Sequence, residues 1–490
     1  MTEDDPNDHS AGTTRRRRFL ELAGTAALTT GGLAGCIGTE SSDGGDGGGG
    51  DGGDGSDGSD GGDGSDGGDG GNGSGATETA TEGGDGGGAT ETATGTPSGP
   101  DSVLVGQPAA ITGRWDFLQV SATQATDLAA QEINDAGGPL GAEFNVQRRD
   151  TAVDPQQARQ VIRQFVNSDG VDAVSGLFSS EVVPLWDFLQ EQQVPVVTPW
   201  PGTRFLDTRG GDKSTPGDLS DDEWVWRTVI GDTVDTAGGA RAAIDEGFET
   251  MGILNGTSAG ETGYADAFQT AYENLGGTVA TRVEVPEGES SYQSQIDRLF
   301  GADFDAWLLA LTLEDATVAV RNWRQGGYGG GLVLESGLLA PDLISAVGEQ
   351  AEGALAAAGT TQGPGFSDFE PKFQEAGDGE LHTWAVSAYD SINILALAMH
   401  RAGEASHEAV QRNIGPVARG NGTAVQTFAE GKEALDAGEE INYQGALTNA
   451  DFTQHGNVWG DVRVAEVTPD GFETRSVIEA STLRESIDIY

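Results

Sequence analysis

Cysteine is almost absent from this chain of 490 residues, which contains only Cys36. A single thiol cannot form an intramolecular disulfide or a cysteine metal cluster, so the folded part has to be stabilised by hydrophobic cores. The five histidines lack the spacings of metal ligands, and no Ser-His-Asp order of a hydrolase can be recognised. We therefore expect no metal, no cofactor and no catalytic centre, and hence a protein that is not an enzyme.

Basic side chains are also scarce, with 26 Lys and Arg against 79 Asp and Glu, and only three of the 26 are lysines. Beyond residue 100, 60 acidic and 22 basic side chains leave a net charge near −38. The composition resembles that of halophilic archaeal proteins, in which a Debye length of about 3 Å at 1 M salt screens self-repulsion. A surface for cations or basic partners is the alternative. Nucleic acid is not expected as a partner, because a basic stripe is absent.

Long apolar runs are missing too, and the short one near the N-terminus has the layout of an export signal. Four arginines at 15–18 precede an Ala-, Gly- and Thr-rich segment, which is shorter than the about 20 apolar residues of a membrane span. Residues 14–20 resemble a twin-arginine signal, and Leu-Ala-Gly-Cys at 33–36 resembles a lipobox. We predict that residues 1–35 are a signal peptide and that lipidated Cys36 anchors the protein on the extracellular face of the membrane. A buried cysteine or a chance match to the motif is the alternative.

The segment after Cys36 has hardly any apolar side chains. Residues 37–100 contain 14 acidic residues, no Lys or Arg, and otherwise mostly Gly, Ser, Thr and Ala. Such a segment cannot offset its ordering entropy by burying apolar surface. Residues 36–100 are therefore predicted to be a disordered, self-repelling tether.

From residue 101 onward, short apolar runs alternate with helix-like stretches. The predicted strands are 103–106, 143–150, 171–177, 194–198, 250–254, 279–285, 306–311 and 332–335. The predicted helices are 122–136, 155–165, 182–192, 235–246, 264–275, 293–299 and 314–325. This alternation predicts an α/β fold with parallel sheets flanked by helices, and its length exceeds a single core, so two lobes are expected.

Seven sequence segments in order resemble one family, the branched-chain-amino-acid-type substrate-binding proteins of ATP-driven importers. They are INDAGGPLG (133–141), RDTAVDPQQA (149–158), VSGLFSSEVVP (174–184), VPVVTPW (194–200), VWRTV (225–229), AYDSINILALAM (388–399) and YQGALTNADFTQHGN (443–457). The resemblance covers about residues 102–490. It implies the type I periplasmic binding fold, with two Rossmann-like lobes, three hinge crossings and a ligand cleft between the lobes. The expected N-terminal lobe is 101–228 plus 355–443, and the expected C-terminal lobe is 229–354 plus 444–490.

In the first lobe, the candidate ligand contacts follow two predicted strands. Ser179 and Ser180 precede the helix predicted at 182–192, and a helix N-terminus favours an anionic group such as a carboxylate. An ordinary helix cap is the alternative for these serines. The resemblance adds the loop with Trp200, Gly202 and Thr203. Trp200 replaces a small residue of the family pattern, so its indole either stacks on the ligand or packs between loops.

In the second lobe, the resemblance points to Thr262, Tyr264, Thr312 and Glu335. Glu335 corresponds to the acid that pairs with the ammonium group in amino-acid binders, and a solvated surface position is its alternative. An aromatic residue that many family members carry at 312–313 is missing here. Asp232, at the first crossing, and Tyr389, in a late helix, are candidates for the hinge or for the wall of the cleft.

The function implied by the resemblance is capture of a small polar solute, without chemistry, and its delivery to an ABC permease. A branched-chain or other apolar amino acid is the expected solute, with urea, short amides or carboxylates as alternatives. A sensory module that signals to a membrane transducer is the alternative function, and a monomer is expected in both. Residues 207–223 are predicted to be a surface insertion. The sequons at Asn255 and Asn421 are predicted to lie at the surface.

Overall fold

The computed structural model describes residues 99–113, 115–211, 219 and 223–486. The predicted signal peptide, Cys36 and nearly all of the predicted tether lie outside the described residues, as does most of the predicted insertion at 207–223. Within the described residues, no helix is both long and apolar enough to cross a membrane.

The structure alternates strands and helices along the chain. The strands are β1 (Ser102–Ala109), β2 (Glu143–Asp150), β3 (Ala173–Ser175), β4 (Val196–Thr198), β5 (Val225–Arg227), β6 (Thr250–Gly256), β7 (Thr278–Val285), β8 (Ala306–Ala310), β9 (Gly331–Leu334), β10 (Leu355–Gly359), β11 (Thr423–Val425), β12 (Ile441–Tyr443), β13 (Val462–Thr468) and β14 (Gly471–Ile478). The helices are α1 (Asp116–Asp135), α2 (Pro155–Gln164), α3 (Ser179–Gln192), α4 (Asp232–Asp245), α5 (Ala259–Asn274), α6 (Gln293–Leu299), α7 (Leu313–Gln325), α8 (Pro341–Val347), α9 (Phe366–Ala376), α10 (Thr383–Ala402), α11 (His407–Ala418), α12 (Phe428–Asp436) and α13 (Ala480–Ser486).

The first lobe is built on a five-stranded sheet in the order β2-β1-β3-β4-β5, in which every pairing is parallel. Its strands are rich in buried Val and Ala, as expected for a parallel sheet that is covered on both faces. One core includes residues of α1 and of α9 to α12, and a second core includes residues of α2 and α3. The first lobe therefore has helices on both faces of its sheet.

The second lobe is built on a seven-stranded sheet in the order β14-β13-β10-β9-β8-β6-β7. The five strands from β10 to β7 are parallel, whereas β13 is antiparallel to both β10 and β14. One core contains residues of α4 and α5, and another contains residues of α6, α7 and α8. The predicted α/β fold with two parallel-sheet lobes is thus confirmed, with an antiparallel hairpin added at one edge.

Three connections join the lobes, at residues 228–231, 360–365 and 444–461. The second connection lies later than expected. Leu355 and Ala356 in β10 pair with Val333 and Leu334 in β9, so β10 belongs to the second sheet. The expected lobe boundary at residue 355 is therefore wrong, and the chain returns to the first lobe only after Gly359.

The predicted helix starts agree with the structure only in part. The start of α2 agrees with prediction, because Pro155 is its first residue and the Asp154 carboxylate accepts hydrogen bonds from two first-turn N–H groups. In contrast, α3, α4 and α5 begin three to five residues before their predicted starts at 182, 235 and 264. Their first turns are polar or Gly-containing and show no apolar periodicity.

A buried ion pair lies where the first connection leaves the first lobe. Arg227, the last residue of β5, is 2% exposed, and its guanidinium lies 2.6 Å from the Asp207 carboxylate. The guanidinium also donates to the carbonyls of Gly202 (3.1 Å) and Thr203 (3.0 Å). The Asn457 amide, on the third connection, donates to the Leu206 carbonyl at 2.8 Å. Arg227 therefore holds together the end of β5, the loop after β4 and, through that loop, the third connection.

We predict that Arg227→Met destabilises the protein by about 3–5 kcal/mol, because it leaves the Asp207 carboxylate buried and unpaired. The control is Arg241→Met, which breaks the exposed i,i+4 pair with Asp245 and should cost less than about 0.5 kcal/mol. Urea unfolding in multimolar KCl measures both changes. Equal losses in the two variants would contradict a structural role of the buried pair.

Candidate functional site

The candidate residues lie at the carboxyl ends of parallel strands, where α/β sheets bind ligands. In the first lobe these are the loops after β1, β3 and β4, and in the second lobe they are the loops after β6, β8 and β9. Helix α3 of the first lobe contacts α5 of the second, and α5 also contacts the short turn Arg204–Leu206 that follows β4. The two sets of loops therefore border one cleft between the lobes.

Ser179 and Ser180 are the first two residues of α3 rather than residues before the helix. The helix cap is Phe178, whose N–H donates to the Glu181 carboxylate at 2.8 Å, so neither serine is the N-cap. The Ser179 hydroxyl accepts from the Thr203 N–H at 3.4 Å, whereas Ser180 is exposed. The structure thus brings Ser179 and Thr203 together and adds the electropositive first turn of α3 to the same spot.

Trp200 packs between loops, which was one of its two predicted roles. Its indole is 3% exposed and stacks on Phe178 with ring centroids 4.9 Å apart. Phe178 stacks in turn on Trp115, from the loop after β1, at 6.3 Å. Trp384, at the start of α10, meets Trp115 edge-on at 6.1 Å. We call these four residues the aromatic wall.

Sequence reasoning missed three residues of the aromatic wall, Trp115, Phe178 and Trp384. A usable signal was present for two of them, because Trp115 lies shortly after β1 and Phe178 shortly after β3. Loops at the carboxyl ends of parallel strands are where functional side chains are expected. Trp384 had no such signal, because it belongs to α10, which lies far along the chain from β1, β3 and β4.

Gly202 and Asp232 meet where the loop after β4 touches the start of α4. The Asp232 N–H donates to the Gly202 carbonyl at 2.7 Å. A Cβ atom on Gly202 would lie 1.9 Å from the Asp232 carboxylate, so only glycine fits here. Burial raises the pKa of Asp232 to about 7, opposed by the Arg227 charge and assisted by the Asp207 charge. Asp232 therefore lies where the first connection enters the second lobe, next to the loop after β4 of the first lobe.

Glu335 is the first residue after β9, and its Oε2 atom is buried without a hydrogen-bond partner among the described residues. Burial raises the pKa of Glu335 well above its usual range, and the charges of Asp232 and Glu261 raise it further. A buried carboxylate with like-charged neighbours is stabilised by a cation that enters the site. The arrangement is therefore suited to a positively charged ligand group.

Tyr264 and Asp235 complete this acidic side of the cleft. The Tyr264 hydroxyl accepts from the Ser336 N–H at 3.2 Å, next to Glu335. Asp235, which the sequence did not indicate, accepts from the Gly359 N–H at 2.8 Å, and burial and the Asp232 charge raise its pKa well above the usual range. The structure thus gathers Asp232, Tyr264 and Glu335 and adds Asp235 to them.

Two predicted contacts have local structural roles. Thr312 is the N-cap of α7, where its hydroxyl accepts from the Asp315 N–H. Thr262 lies inside α5 and donates its hydroxyl hydrogen to the carbonyl of Gly256, the last residue of β6, at 3.2 Å. Both side chains are half-buried and lie at strand ends, where their role as ligand contacts stays a prediction.

Two other expectations are wrong. Tyr389 is 2% exposed and donates to the Glu132 carboxylate at 2.6 Å inside the first lobe, so it does not line the cleft. Asn255 lies in β6 with no exposed surface, so its sequon is not at the surface, whereas Asn421 is exposed.

The site has opposite polarity on its two sides. The first lobe offers N–H groups, the Ser179 hydroxyl and the aromatic wall, and the second offers the carboxylates of Asp232 and Glu335. No group of three or more His, Cys, Asp or Glu side chains within the described residues is arranged to hold a metal ion. The chemistry that this arrangement supports is the binding of a small molecule with an anionic and a cationic group.

Comparison with known proteins identifies the family of the chain. A family model described as periplasmic binding protein matches residues 102–472. The leucine-, isoleucine-, valine-, threonine- and alanine-binding protein of Pseudomonas aeruginosa is 24% identical over 58% of this chain and 74% of its own length. The chemotactic signal transduction system substrate-binding protein BasB of Halobacterium salinarum is 23% identical over 78% of this chain and 90% of its own length.

Solved structures show the same fold. The leucine-binding protein LivK of Thermotoga maritima has a TM-score of 0.62 at 20% identity, covering 78% of this chain and 99% of that one. LivJ of Streptococcus pneumoniae, solved in complex with isoleucine, has a TM-score of 0.62 at 17% identity, covering 77% and 99%. Together with the family match over most of its length, these likenesses establish that the chain belongs to the periplasmic binding protein family, as a type I protein of the branched-chain-amino-acid type.

Proposed function

We propose that this protein captures an amino acid in the cleft between its lobes and delivers it, chemically unchanged, to the permease of an ABC importer. The observation that carries the proposal is the opposite polarity of the two cleft sides. The first turn of α3, with Ser179, is suited to an α-carboxylate. The carboxylates of Asp232 and Glu335 are suited to an α-ammonium group.

The electrostatics of the second lobe support a zwitterionic ligand. Burial, assisted by the charges of Asp232 and Glu261, raises the pKa of Glu335 well above its usual range, and the buried Glu335 oxygen has no hydrogen-bond partner within the described part of the chain. An ammonium group between Asp232 and Glu335 would supply both the missing donor and the missing charge. Urea and neutral amides supply donors without the charge, so they satisfy the site less well.

The relatives support an apolar side chain on that ligand. The Pseudomonas protein is named for binding leucine, isoleucine, valine, threonine and alanine, and LivJ was solved with isoleucine. The Halobacterium relative, named as part of a chemotactic system, supports a second candidate function. In that case the ligand-bound protein signals to a membrane transducer instead of a permease, from the same cleft.

The proposed location is the extracellular face of the cell membrane, reached by the twin-arginine route and held by a lipid on Cys36. The order of arginines, apolar run, small residues and cysteine supports this location. The acid excess supports a high-salt environment, where screening weakens the self-repulsion of the chain.

A ligand screen tests the proposed function. In multimolar KCl, an apolar amino acid at 100 times its Kd should stabilise residues 101–490 by about 2.7 kcal/mol, which raises the melting temperature in a thermal-shift assay. Glu335→Gln should weaken amino-acid binding at least tenfold, as about 1.4 kcal/mol of charge pairing is lost. The control is Glu349→Gln, because Glu349 is exposed and precedes β10, at the amino-terminal ends of the parallel strands.

Both parts of this screen can contradict the proposal. If no amino acid shifts the melting temperature while urea, a sugar or a dicarboxylate does, the amino-acid function is wrong. If Glu335→Gln binds amino acids as tightly as Glu349→Gln does, the ammonium is not held by Glu335.

We also predict a pH dependence of binding. With a pKa of about 7, Asp232 is mostly protonated at pH 6 and mostly charged at pH 8 in the free protein. Because an ammonium ligand pairs with the charged form, affinity should rise about tenfold from pH 6 to pH 8. Isothermal titration calorimetry measures the change, and Asp232→Asn should reduce it. An affinity that is equal at both pH values would count against Asp232 as a ligand contact.

The anchor is tested with Cys36→Ser, which removes the thiol that accepts the lipid. This variant should appear in the culture medium instead of the membrane fraction, while Ser41→Ala, five residues later, should stay with the membrane. Cell fractionation and the mass of the mature N-terminus distinguish the two. A membrane-bound Cys36→Ser protein would show that another segment holds it.

A further inference from the structure

Three asparagines of the chain begin the acceptor pattern of N-glycosylation, Asn-X-Ser or Asn-X-Thr: Asn72, Asn255 and Asn421. Asn72 lies outside the described residues. The other two have opposite surroundings, because Asn255 has no exposed surface whereas Asn421 is exposed. The same motif can therefore be compared in a closed and in an open position of one protein.

Asn255 cannot carry a glycan in the folded protein. It lies in β6, between Glu284 of β7 and Ala310 of β8. Its Nδ2 atom donates to the Gly256 carbonyl at 2.7 Å, and its Oδ1 atom accepts from Arg282 at 2.8 Å. A sugar attached before folding would not fit into this closely packed sheet, and after folding no enzyme can reach the nitrogen.

Asn421, in contrast, presents its side chain to solvent. It lies between α11 and β11, and its carboxamide makes no hydrogen bond to any residue that the structure describes. Both of its neighbours, Gly420 and Gly422, are glycines, so neither adjacent residue has a side chain that covers it. The Nδ2 atom of Asn421 is consequently accessible to an enzyme that acts on the folded protein.

The rest of this sequon is held at the surface by the neighbouring segment. The Thr423 N–H donates to the Glu440 carbonyl at 2.7 Å, and a Cβ atom at position 422 would lie 2.5 Å from the Glu440 backbone, so only glycine fits there. Thr423 is exposed, and its hydroxyl donates to the Glu439 carboxylate at 2.8 Å. Because this contact is open to water, an enzyme can replace it without disturbing the fold.

We propose that Asn421 carries an N-linked oligosaccharide. Asn421 belongs to none of the loops with candidate ligand contacts, so this modification site is separate from the cleft. The proposal goes beyond the binding function and rests only on the proposed location outside the membrane, where a transferase and its donor would meet the protein.

The donor class is an oligosaccharide linked through its anomeric carbon to a lipid phosphate. The Nδ2 atom of Asn421 forms a bond to the anomeric carbon, and the bond from that carbon to the phosphate oxygen breaks. The lipid phosphate leaves with the electron pair, and the nitrogen loses one proton to a base of the transferase. The product is a glycosylated carboxamide, without oxidation or reduction.

Peptide mapping of the full chain, purified from the membranes of its own cells, tests the proposal. Trypsin cleavage after Arg419 and Lys432 releases residues 420–432, in which Asn421 is the only asparagine. Mass spectrometry should find this peptide with the added mass of an oligosaccharide.

The buried sequon is the internal control. The tryptic peptide of residues 242–282 contains Asn255 and should appear only at its unmodified mass. A glycan on Asn72 would not interfere, since that asparagine lies in a different tryptic peptide.

Four variants show which atom carries the sugar. Asn421→Gln and Thr423→Val each destroy the sequon and should return the peptide to its unmodified mass, whereas Thr423→Ser keeps a hydroxyl and should stay modified. Asn274→Gln is the matched control, because Asn274 is an exposed asparagine outside any sequon. All four positions are exposed, so the fold should tolerate these changes.

The outcomes separate this proposal from the proposed location. A membrane-bound protein that has a lipid on Cys36 but no sugar on Asn421 would overturn the glycan alone. A protein that has neither and stays inside the cell would overturn both proposals. Sugar that persists on residues 420–432 in Asn421→Gln would show a linkage to a hydroxyl instead, and sugar on Asn255 would contradict the argument from burial.

Discussion

The buried ion pair between Arg227 and Asp207 is the contact on which the geometry of the cleft depends. The Arg227 guanidinium also holds the carbonyls of Gly202 and Thr203, and so it fixes the loop whose N–H group meets Ser179. A buried arginine is expensive unless its donors are used, and here one carboxylate and two carbonyls accept from the two terminal nitrogens of Arg227, whereas its Nε has no hydrogen-bond partner among the described residues. A structural charge pair therefore sets the position of the neutral candidate groups at Thr203 and Ser179.

The two sides of the cleft obtain their character from different physical sources. On the first lobe, the backbone of a helix start supplies partial positive charge, and the Glu181 carboxylate in the same turn accepts the Phe178 N–H. On the second lobe, carboxylates are held in a poorly solvated place where they repel one another, as the raised pKa values of Asp232, Asp235 and Glu335 show. Burial also raises the pKa of Glu181, in the first turn of α3, to about 7, so both sides of the cleft hold a poorly solvated carboxylate, and a cationic group would relieve the repulsion on the second lobe.

Much of the fold was predictable, because strand and helix alternation is a local property of the sequence. Strand β2 and helix α6 have their predicted bounds, and Glu335 was found from its position after a strand. The predicted starts of α3 and α5 were wrong, because their polar first turns have no apolar periodicity. The assignment of β10 was wrong, because the order of strands in a sheet leaves no periodic signal in the sequence. Asp235 and Trp384 could not be found, since their places depend on contacts between distant segments.

The close approach of Gly202 to Asp232 has a mechanical consequence. The loop after β4 belongs to the first lobe and the start of α4 to the second, yet a 2.7 Å hydrogen bond joins them with no room for a side chain between. A motion that parts the lobes while keeping this bond can only pivot about it, so the opening is widest far from this point. Ser179, bonded to Thr203, and Glu335, close enough for the Asp232 charge to raise its pKa, both lie near this joint, so they would separate less than parts of the two lobes farther away.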